Sequence, residues 1–89
     1  MMPKILLTER FISLYRNLPA AIRKKIDRQI TLLADNPRHP SLQTKPIQGT
    51  KGIFEARVDI NYRLTYERLP DDTLLLRVVA RHDEALKKP

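Results

Sequence analysis

Several residue types are absent from this sequence or scarce in it, and each shortage removes a class of site. The chain contains no cysteine and no tryptophan, two glycines, two phenylalanines and three tyrosines. Without cysteine it can form neither a disulfide nor a thiolate metal site, which is typical of proteins in the reducing cytoplasm. The few aromatic side chains leave little surface on which nucleic-acid bases could stack.

Long apolar runs are missing as well. Near the start the longest apolar run is Ile5–Leu7, which is too short for the core of a signal peptide. No stretch approaches the roughly 20 apolar residues of a membrane-spanning helix. We therefore expect a cytoplasmic protein that works without a membrane.

Charge is the strongest global signal. Seventeen lysines and arginines stand against ten aspartates and glutamates, which gives a formal net charge of +7 at pH 7. Such an excess favours polyanionic partners, either nucleic acid or an acidic protein. Ten of the seventeen basic residues are arginines, whose planar guanidinium groups suit phosphate. We expect nucleic acid to be bound mainly through its backbone phosphates.

The first half of the chain predicts a short strand and a helical hairpin, within a single domain that spans residues 1–89. The strand is expected over Lys4–Leu7, and Thr8 suits the N-cap of the helix that follows. Pro19 ends this helix and can open the next one, which is expected to end at Asp35–Pro37. Apolar residues recur at helical spacing in both helices: Phe11, Leu14, Tyr15, Leu18, Ile22, Ile26, Ile30 and Leu33.

The second half predicts an antiparallel sheet. The segment Arg38–Gly52 holds both glycines and indicates a loop, with an edge strand possible around Leu42–Ile47. Alternating apolar residues then predict two strands joined by a turn at Asp59–Asn61, and a last strand over Leu74–Ala80 after a turn at Leu69–Asp72. The order β-α-α-β-β-β predicts an α+β domain in which two helices cover one face of an antiparallel β-meander.

The face of the sheet without helices is expected to collect charged side chains. Alternation directs the apolar residues of the hairpin to the helices: Phe54, Ala56, Val58, Tyr62, Leu64 and Tyr66. It directs Glu55, Arg57 and Arg63 to the open face. If the hairpin is symmetric about Ile60, Arg57 and Arg63 lie directly opposite each other. Two like charges paired in this way repel, which favours an anion between the two guanidinium groups.

The last strand is expected to add to this face. Four alternate residues of this strand are apolar and are expected to face the core: Leu74, Leu76, Val78 and Ala80. Because a tight turn would leave the strands one step out of phase, we expect a bulge or a different loop length. Arg77 and Arg81 then point to the open face, and His82 lies at its rim where the strand ends.

Such a face suits the cleavage of a phosphodiester bond in RNA. A 2′-hydroxyl attacks the neighbouring phosphate and the 5′-oxygen leaves, so the step needs a base, an acid and positive charge. Arginines supply that charge through preorganised hydrogen bonds. His82, whose imidazole titrates nearest physiological pH, is the candidate acid, and Glu55 is the candidate base. His39 and His82 alone do not make a metal site, so we expect neither a metal nor a cofactor.

These residues resemble the RelE/ParE superfamily of bacterial toxins, and in detail its YafQ-like branch. The order of elements is similar over the whole chain, and four segments carry the resemblance: "NPRHPSL", "KPIQGTKGIFEARV", "NYRLTYE" and "RHDEAL". The resemblance implies the toxin of a type II toxin–antitoxin system, held inactive by a partner antitoxin. RelE-type members cleave mRNA in the A site of the ribosome's 30S subunit.

The resemblance also implies roles for single residues. His82 falls where YafQ-like members place a catalytic histidine, and Arg63 falls on the arginine of a "YR" motif used for the scissile phosphate. Arg57 matches a lysine or histidine of active members, and Glu55 matches a position where some carry Asp and others Lys. Lys45 falls where YafQ-like members have a histidine.

Two positions depart from the family pattern. Asn61 stands where YafQ-like members have an acid, and Leu86 replaces an aromatic residue that stacks on a base in active members. The catalytic set implied by the resemblance is His82, Arg63, Arg57 and Glu55. The residues expected to contact RNA or its phosphates are Arg81, Arg77, Lys45, Lys51 and Asn61.

Two further functions stay open on the sequence. One is a non-enzymatic ParE-like toxin that inhibits DNA gyrase, and the other is a basic nucleic-acid-binding module without catalysis. ParE-like members lack the catalytic set, so His82 beside Arg81 favours the nuclease. The fold alone separates none of these functions.

Overall fold

The computed structural model describes residues 3–89, so the first two residues of the predicted domain lie outside the described part. The elements follow in chain order: β1 (Ile5–Leu7), α1 (Glu9–Arg16), α2 (Ala20–Asp35), a 3₁₀ turn (Pro40–Leu42), β2 (Lys45–Pro46), β3 (Ile53–Arg57), β4 (Tyr62–Arg68), β5 (Leu74–Arg81) and α3 (His82–Lys87). The five strands form one sheet in the order β1-β5-β4-β3-β2. The predicted α+β class is confirmed.

The helical hairpin forms as its capping residues predict. The hydroxyl of Thr8 accepts a hydrogen bond from the Phe11 amide, which satisfies one of the free donors at the start of α1. Pro19 stands directly before α2, whose last turn is closed by the Asn36 amide donating to the Leu32 carbonyl. Three residues of the two helices are almost fully buried against the sheet: Phe11, Ile26 and Leu33.

The sheet is mixed, because its first strand runs parallel to its last. β2, β3, β4 and β5 form the predicted antiparallel meander, and β1 pairs in parallel with β5. The register of β3 and β4 is symmetric about Ile60, so Arg57 lies opposite Arg63 as predicted. No helix within residues 3–89 has the length and apolar character that are needed to cross a membrane.

A bulge in β5 changes which residues face the helices. Thr65 lies opposite Val78 and Tyr66 lies opposite Leu76, so Arg77 is an extra residue without a partner. The predicted alternation is therefore correct up to Arg77 and wrong from Val78 onward, since one extra residue shifts every later side chain to the other face. Beyond the bulge, Val79 and Arg81 face the helices, and Val78 and Ala80 face away from them.

The face opposite α1 and α2, called here the second face, is partly covered, which corrects the expectation of an open surface. α3 packs on β4 and β5 there, with Ala85, Val78 and Thr65 almost fully buried. The Pro89 carbonyl accepts hydrogen bonds from the Thr65 hydroxyl, at 3.1 Å, and from Arg77 Nε, at 2.9 Å. The cover has a physical reason, because the bulge turns apolar residues of β5 to this face.

Candidate active site

Four charged side chains of the second face form a cluster: Lys45, Glu55, Arg57 and Arg63. Lys45 lies opposite Glu55 across β2 and β3, and Arg57 lies opposite Arg63 across β3 and β4. Glu55 Oε1 is 3.8 Å from Arg63 Nε and 3.9 Å from Lys45 Nζ. Three cations and one carboxylate leave this charged cluster with a positive excess, which suits an incoming phosphate.

Arg63 is held in place by the turn that precedes it. Its side chain is only 15% exposed, and its Nη1 donates to the Asp59 carbonyl at 2.6 Å and to the Tyr62 carbonyl at 3.0 Å. Its Nε faces Glu55. Nη2 makes no hydrogen bond within residues 3–89, so it keeps donors available for a ligand. A guanidinium fixed in this way needs little reorganisation when an anion binds.

Arg57 is held more loosely than its partner across the sheet. Its Nη1 makes one long hydrogen bond of 3.4 Å to Gln43 Oε1, where Gln43 has a left-handed backbone with φ of 43°. The backbone of Arg57 is fixed better, because its carbonyl accepts a hydrogen bond of 2.6 Å from Gln29 Nε2. The charged cluster therefore combines one rigid arginine with one that can adjust to a ligand.

The turn between β3 and β4 is locked by Asp59. Its Oδ1 accepts from the amides of Asn61 and Tyr62, each at 2.8 Å, and its Oδ2 lies 3.1 Å from Lys25 Nζ. Burial alone would raise the pKa of Asp59, but the hydrogen bonds from Asn61, Lys25 and Tyr62 hold it below its ordinary value. The Asn61 carbonyl in turn accepts a hydrogen bond of 2.8 Å from the His82 amide.

His82 stands at the junction of β5 and α3, at the same corner of the sheet as Arg63. It follows Arg81 and lies two residues beyond Ala80, which pairs with Arg63. Its side chain is 45% exposed, and Nδ1 is 4.0 Å from the exposed carboxylate of Asp83, a contact that contributes little. Its imidazole is thus accessible for proton exchange. Residues 3–89 hold no group of three or more His, Asp or Glu side chains arranged to ligate a metal ion.

The predicted face of four arginines does not form. Arg81 lies on the helix side, with its guanidinium 5.4 Å from the ring centre of Tyr62, because the bulge reverses its direction. Arg77 does lie on the second face, but its Nη1 is 3.0 Å from Glu67 Oε1 and its Nε binds the Pro89 carbonyl. Lys51 is exposed in the loop before β3, about 20 Å from Arg57 along an extended strand.

A groove of about 860 Å³ lies elsewhere, at the other end of the sheet and on its helix side. Its lining includes Phe54 and Tyr66, whose rings stack with their centres 5.5 Å apart, and the loop residues Arg38 and His39. Burial raises the pKa of Tyr66. Lys45 borders both this groove and the charged cluster, but the groove contains none of the residues predicted to be catalytic.

Sequence reasoning missed three residues that support the charged cluster: Gln29, Gln43 and Asp59. Gln29 had a detectable signal, because it occupies a position on the apolar stripe of α2, between Ile26 and Leu33, where an apolar residue is expected. Asp59 also had a detectable signal, because an aspartate in a turn typically accepts a hydrogen bond from the backbone amide two residues later. Nothing in the sequence indicates the role of Gln43.

Comparisons with known proteins agree with this architecture. A family model described as "ParE toxin of type II toxin-antitoxin system, parDE" matches residues 7–85. No curated protein matches the sequence at a significant level.

Solved toxin structures share the fold. The RelE–RelB complex from Pyrococcus horikoshii OT3 contains a chain of 17% identity and TM-score 0.76, with 96% of this chain and 100% of that one covered. The DinJ–YafQ complex of E. coli gives 23% identity and TM-score 0.74, with 94% and 97% covered. The RelB–RelE complex from Methanococcus jannaschii gives 26% identity and TM-score 0.74, with 94% and 99% covered. Since the family model spans most of its length, the chain belongs to the ParE toxin family of type II toxin–antitoxin systems, within the RelE/ParE superfamily.

Proposed function

We propose that this toxin is an endoribonuclease that cleaves mRNA in the A site of the 30S ribosomal subunit and needs no metal. The observation that carries the proposal is the opposed pair Arg57 and Arg63, with Glu55 beside it and His82 at the same corner of the sheet. The similarity to RelE and YafQ chains supports it further.

The proposed reaction is an internal displacement at phosphorus. The 2′-oxygen of the ribose forms a bond to the adjacent phosphorus, and the bond from phosphorus to the 5′-oxygen breaks. Glu55 accepts the proton of the 2′-hydroxyl, and protonated His82 donates a proton to the leaving 5′-oxygen. The products are a 2′,3′-cyclic phosphate and a free 5′-hydroxyl, so atoms and charge balance without a further reactant.

The two arginines stabilise the charge that develops on the phosphorane. Arg63 contributes Nη2 from a fixed guanidinium, and Arg57 closes on the other side of the phosphate. Removing one such donor typically costs roughly 100-fold or more in rate. In the free protein Glu55 offsets the repulsion between the arginines, and the phosphate takes over part of that role when RNA binds.

The charged cluster is small, so contacts beyond it must bring mRNA into position. Programmed ribosomes supply an ordered mRNA in the A site, which replaces the stacking surface that the chain lacks. We propose on this basis that cleavage depends on the ribosome. In the cell a cognate antitoxin would hold the toxin inactive, as relatives are solved in complex with RelB or DinJ.

The proposal is tested by mRNA cleavage on programmed ribosomes, with the wild type, His82→Gln and Arg63→Ala, and with free RNA as control. We expect cleavage by the wild type on ribosomes alone, and its loss in both variants. Lys24→Gln serves as a matched control, because it removes an exposed cation of α2, on the other side of the sheet from the charged cluster. Growth arrest in cells without cleavage on ribosomes would overturn the proposal.

The family model itself favours a second candidate, a ParE-like toxin that acts on DNA gyrase without catalysis. In that case expression would induce the SOS response while mRNA stays intact, and His82→Gln would remain toxic. His82→Gln therefore separates the two functions when its toxicity and its effect on mRNA are both measured.

A further inference from the structure

The tip of the turn between β3 and β4 carries an unusually exposed apolar residue. Ile60 is 74% exposed, whereas the other exposed large apolar residues within residues 3–89, Leu6 and Leu7, are 43% and 45% exposed. An isoleucine on a turn tip gains nothing from this exposure in the isolated chain. A partner that covers Ile60 would remove its side chain from water.

The turn that presents Ile60 is rigid. Asp59 Oδ1 accepts hydrogen bonds from the amides on the far side of Ile60, those of Asn61 and Tyr62, and Lys25 holds the other oxygen of Asp59. Because the backbone on both sides of Ile60 is fixed, its side chain is presented in one place. Contact with a partner therefore costs little backbone ordering.

Two candidate catalytic residues are attached to this same turn, Arg63 through its side chain and His82 through its backbone amide. Arg63 Nη1 donates to the Asp59 carbonyl, one residue before Ile60, and the His82 amide donates to the Asn61 carbonyl, one residue after it. Ile60 thus lies between the two carbonyls that bind Arg63, the proposed phosphate-binding residue, and His82, the proposed acid. The acid serves the 5′-oxygen, which belongs to the nucleotide on the 3′ side of the cut.

We propose that Ile60 packs against the base of the nucleotide on the 3′ side of the cleaved bond and so helps to select and orient the mRNA. The inference rests on the proposed mRNA cleavage. It assigns to Ile60 an apolar contact with a base face, the type of contact for which the chain has few aromatic residues. Leu86, where the resemblance leads one to expect a stacking aromatic, is half-buried and on a different element.

The test measures mRNA cleavage on programmed ribosomes and combines one change in the protein with one change in the mRNA. The protein is wild type or Ile60→Ser, and the mRNA carries either a normal or an abasic nucleotide on the 3′ side of the cut. With normal mRNA we expect Ile60→Ser to raise the half-saturating concentration on the order of tenfold, as loss of one buried aliphatic side chain does. With abasic mRNA the same substitution should have almost no effect, because its partner is already missing.

Three controls make the result specific. Ile60→Leu should retain wild-type behaviour, since it keeps the apolar surface. Leu6→Ser removes an exposed leucine from β1, at the far edge of the sheet. It should change the cleavage of neither the normal nor the abasic mRNA. Binding to ribosomes without mRNA should be equal for the wild type and Ile60→Ser.

Each unexpected outcome overturns the inference. If Ile60→Ser weakens cleavage of normal and abasic mRNA equally, or weakens binding to empty ribosomes, Ile60 contacts something other than this base. If Ile60→Ser cleaves normal mRNA like the wild type, Ile60 makes no contact of consequence. Absence of cleavage by the wild type would overturn the proposed function and this inference together, whereas the other outcomes leave the proposed function standing.

Discussion

Glu55 should be the residue on which the stability of the charged cluster depends most. Its side chain is 6% exposed and lies 3.8 Å from Arg63 Nε, itself 15% exposed. At an effective dielectric constant of about 20, Coulomb attraction over this distance is on the order of 4 kcal/mol. The cost of removing Glu55 from water offsets part of this energy. We therefore expect Glu55→Gln to lower the free energy of unfolding by about 2 kcal/mol.

The loss of stability in Glu55→Gln has a second component that can be measured separately. Without the carboxylate, Arg57 and Arg63 face each other across the strands with no anion to offset their repulsion. Adding Arg57→Gln to Glu55→Gln should therefore recover about 1 kcal/mol of the loss, although Arg57→Gln alone changes little. High salt should also reduce the deficit, because it screens the repulsion of the partly exposed Arg57.

The assay is denaturant-induced and thermal unfolding of the purified variants. For a domain of this size, 2 kcal/mol corresponds to a fall in Tm of roughly 8 to 16 °C. Lys45→Gln is the matched control: Lys45 is 3.9 Å from Glu55 but 66% exposed, and its loss should cost less than about 0.5 kcal/mol. A Tm for Glu55→Gln equal to that of the wild type, or a further fall when Arg57→Gln is added, would refute the reasoning.

Three other predictions follow from contacts around the charged cluster. Arg77→Gln should destabilise the fold by about 1 kcal/mol by weakening its bonds to Pro89 and Glu67. It should leave cleavage within about twofold of the wild type; a loss as large as that of Arg63→Ala would make Arg77 a phosphate ligand. Arg81→Ala should also leave cleavage nearly unchanged, since its guanidinium lies over Tyr62 on the helix side; a loss comparable to that of Arg63→Ala would contradict this placement. The lowered pKa of Asp59 stabilises the fold above the ordinary carboxyl pKa near 3.8, and this contribution is lost as the pH falls through the folded value. Asp59→Asn should therefore flatten the decline of stability below about pH 4 in acid titrations of unfolding; an unchanged slope would show that other carboxyls cause the decline.

Local signals were sufficient to predict the part of the site that lies on β3 and β4. A short turn at Asp59–Asn61 joins two strands of clear period 2, so the register of the hairpin follows from a few residues. Arg57 and Arg63 therefore come out opposite each other on sequence alone. The helices were predictable for the same reason, since Thr8 and Pro19 mark their ends locally.

The phase of the strands predicts an irregularity between β4 and β5, and a bulge is present, but its position within β5 was not predictable. In Leu74–Arg81 one alternate set of side chains is entirely apolar, and the other contains Leu75 and Val79 beside two arginines, so apolar residues can face the core before and after an inserted residue. The position of the bulge depends on contacts with residues far away in sequence. Among these contacts are Leu64 opposite Val79 and Pro89 beside Arg77. The same long-range contacts decide that α3 covers the second face.

The extra residue in β5 also connects the fold to the proposed chemistry. In a regular strand the alternation from Leu76 would carry position 82 to the helix side, away from the arginine pair. With Arg77 inserted, Ala80 pairs with Arg63, and His82 follows two residues later as the first residue of α3, with its amide bonded to the Asn61 carbonyl. The bulge therefore removes Arg81 from the predicted phosphate site and brings the position of His82 to it, while Arg77 is occupied by Glu67 and Pro89. In the proposed mechanism the acid and the two remaining arginines act together because the strand is irregular, and the alternation of residues predicts an irregularity without showing where it lies.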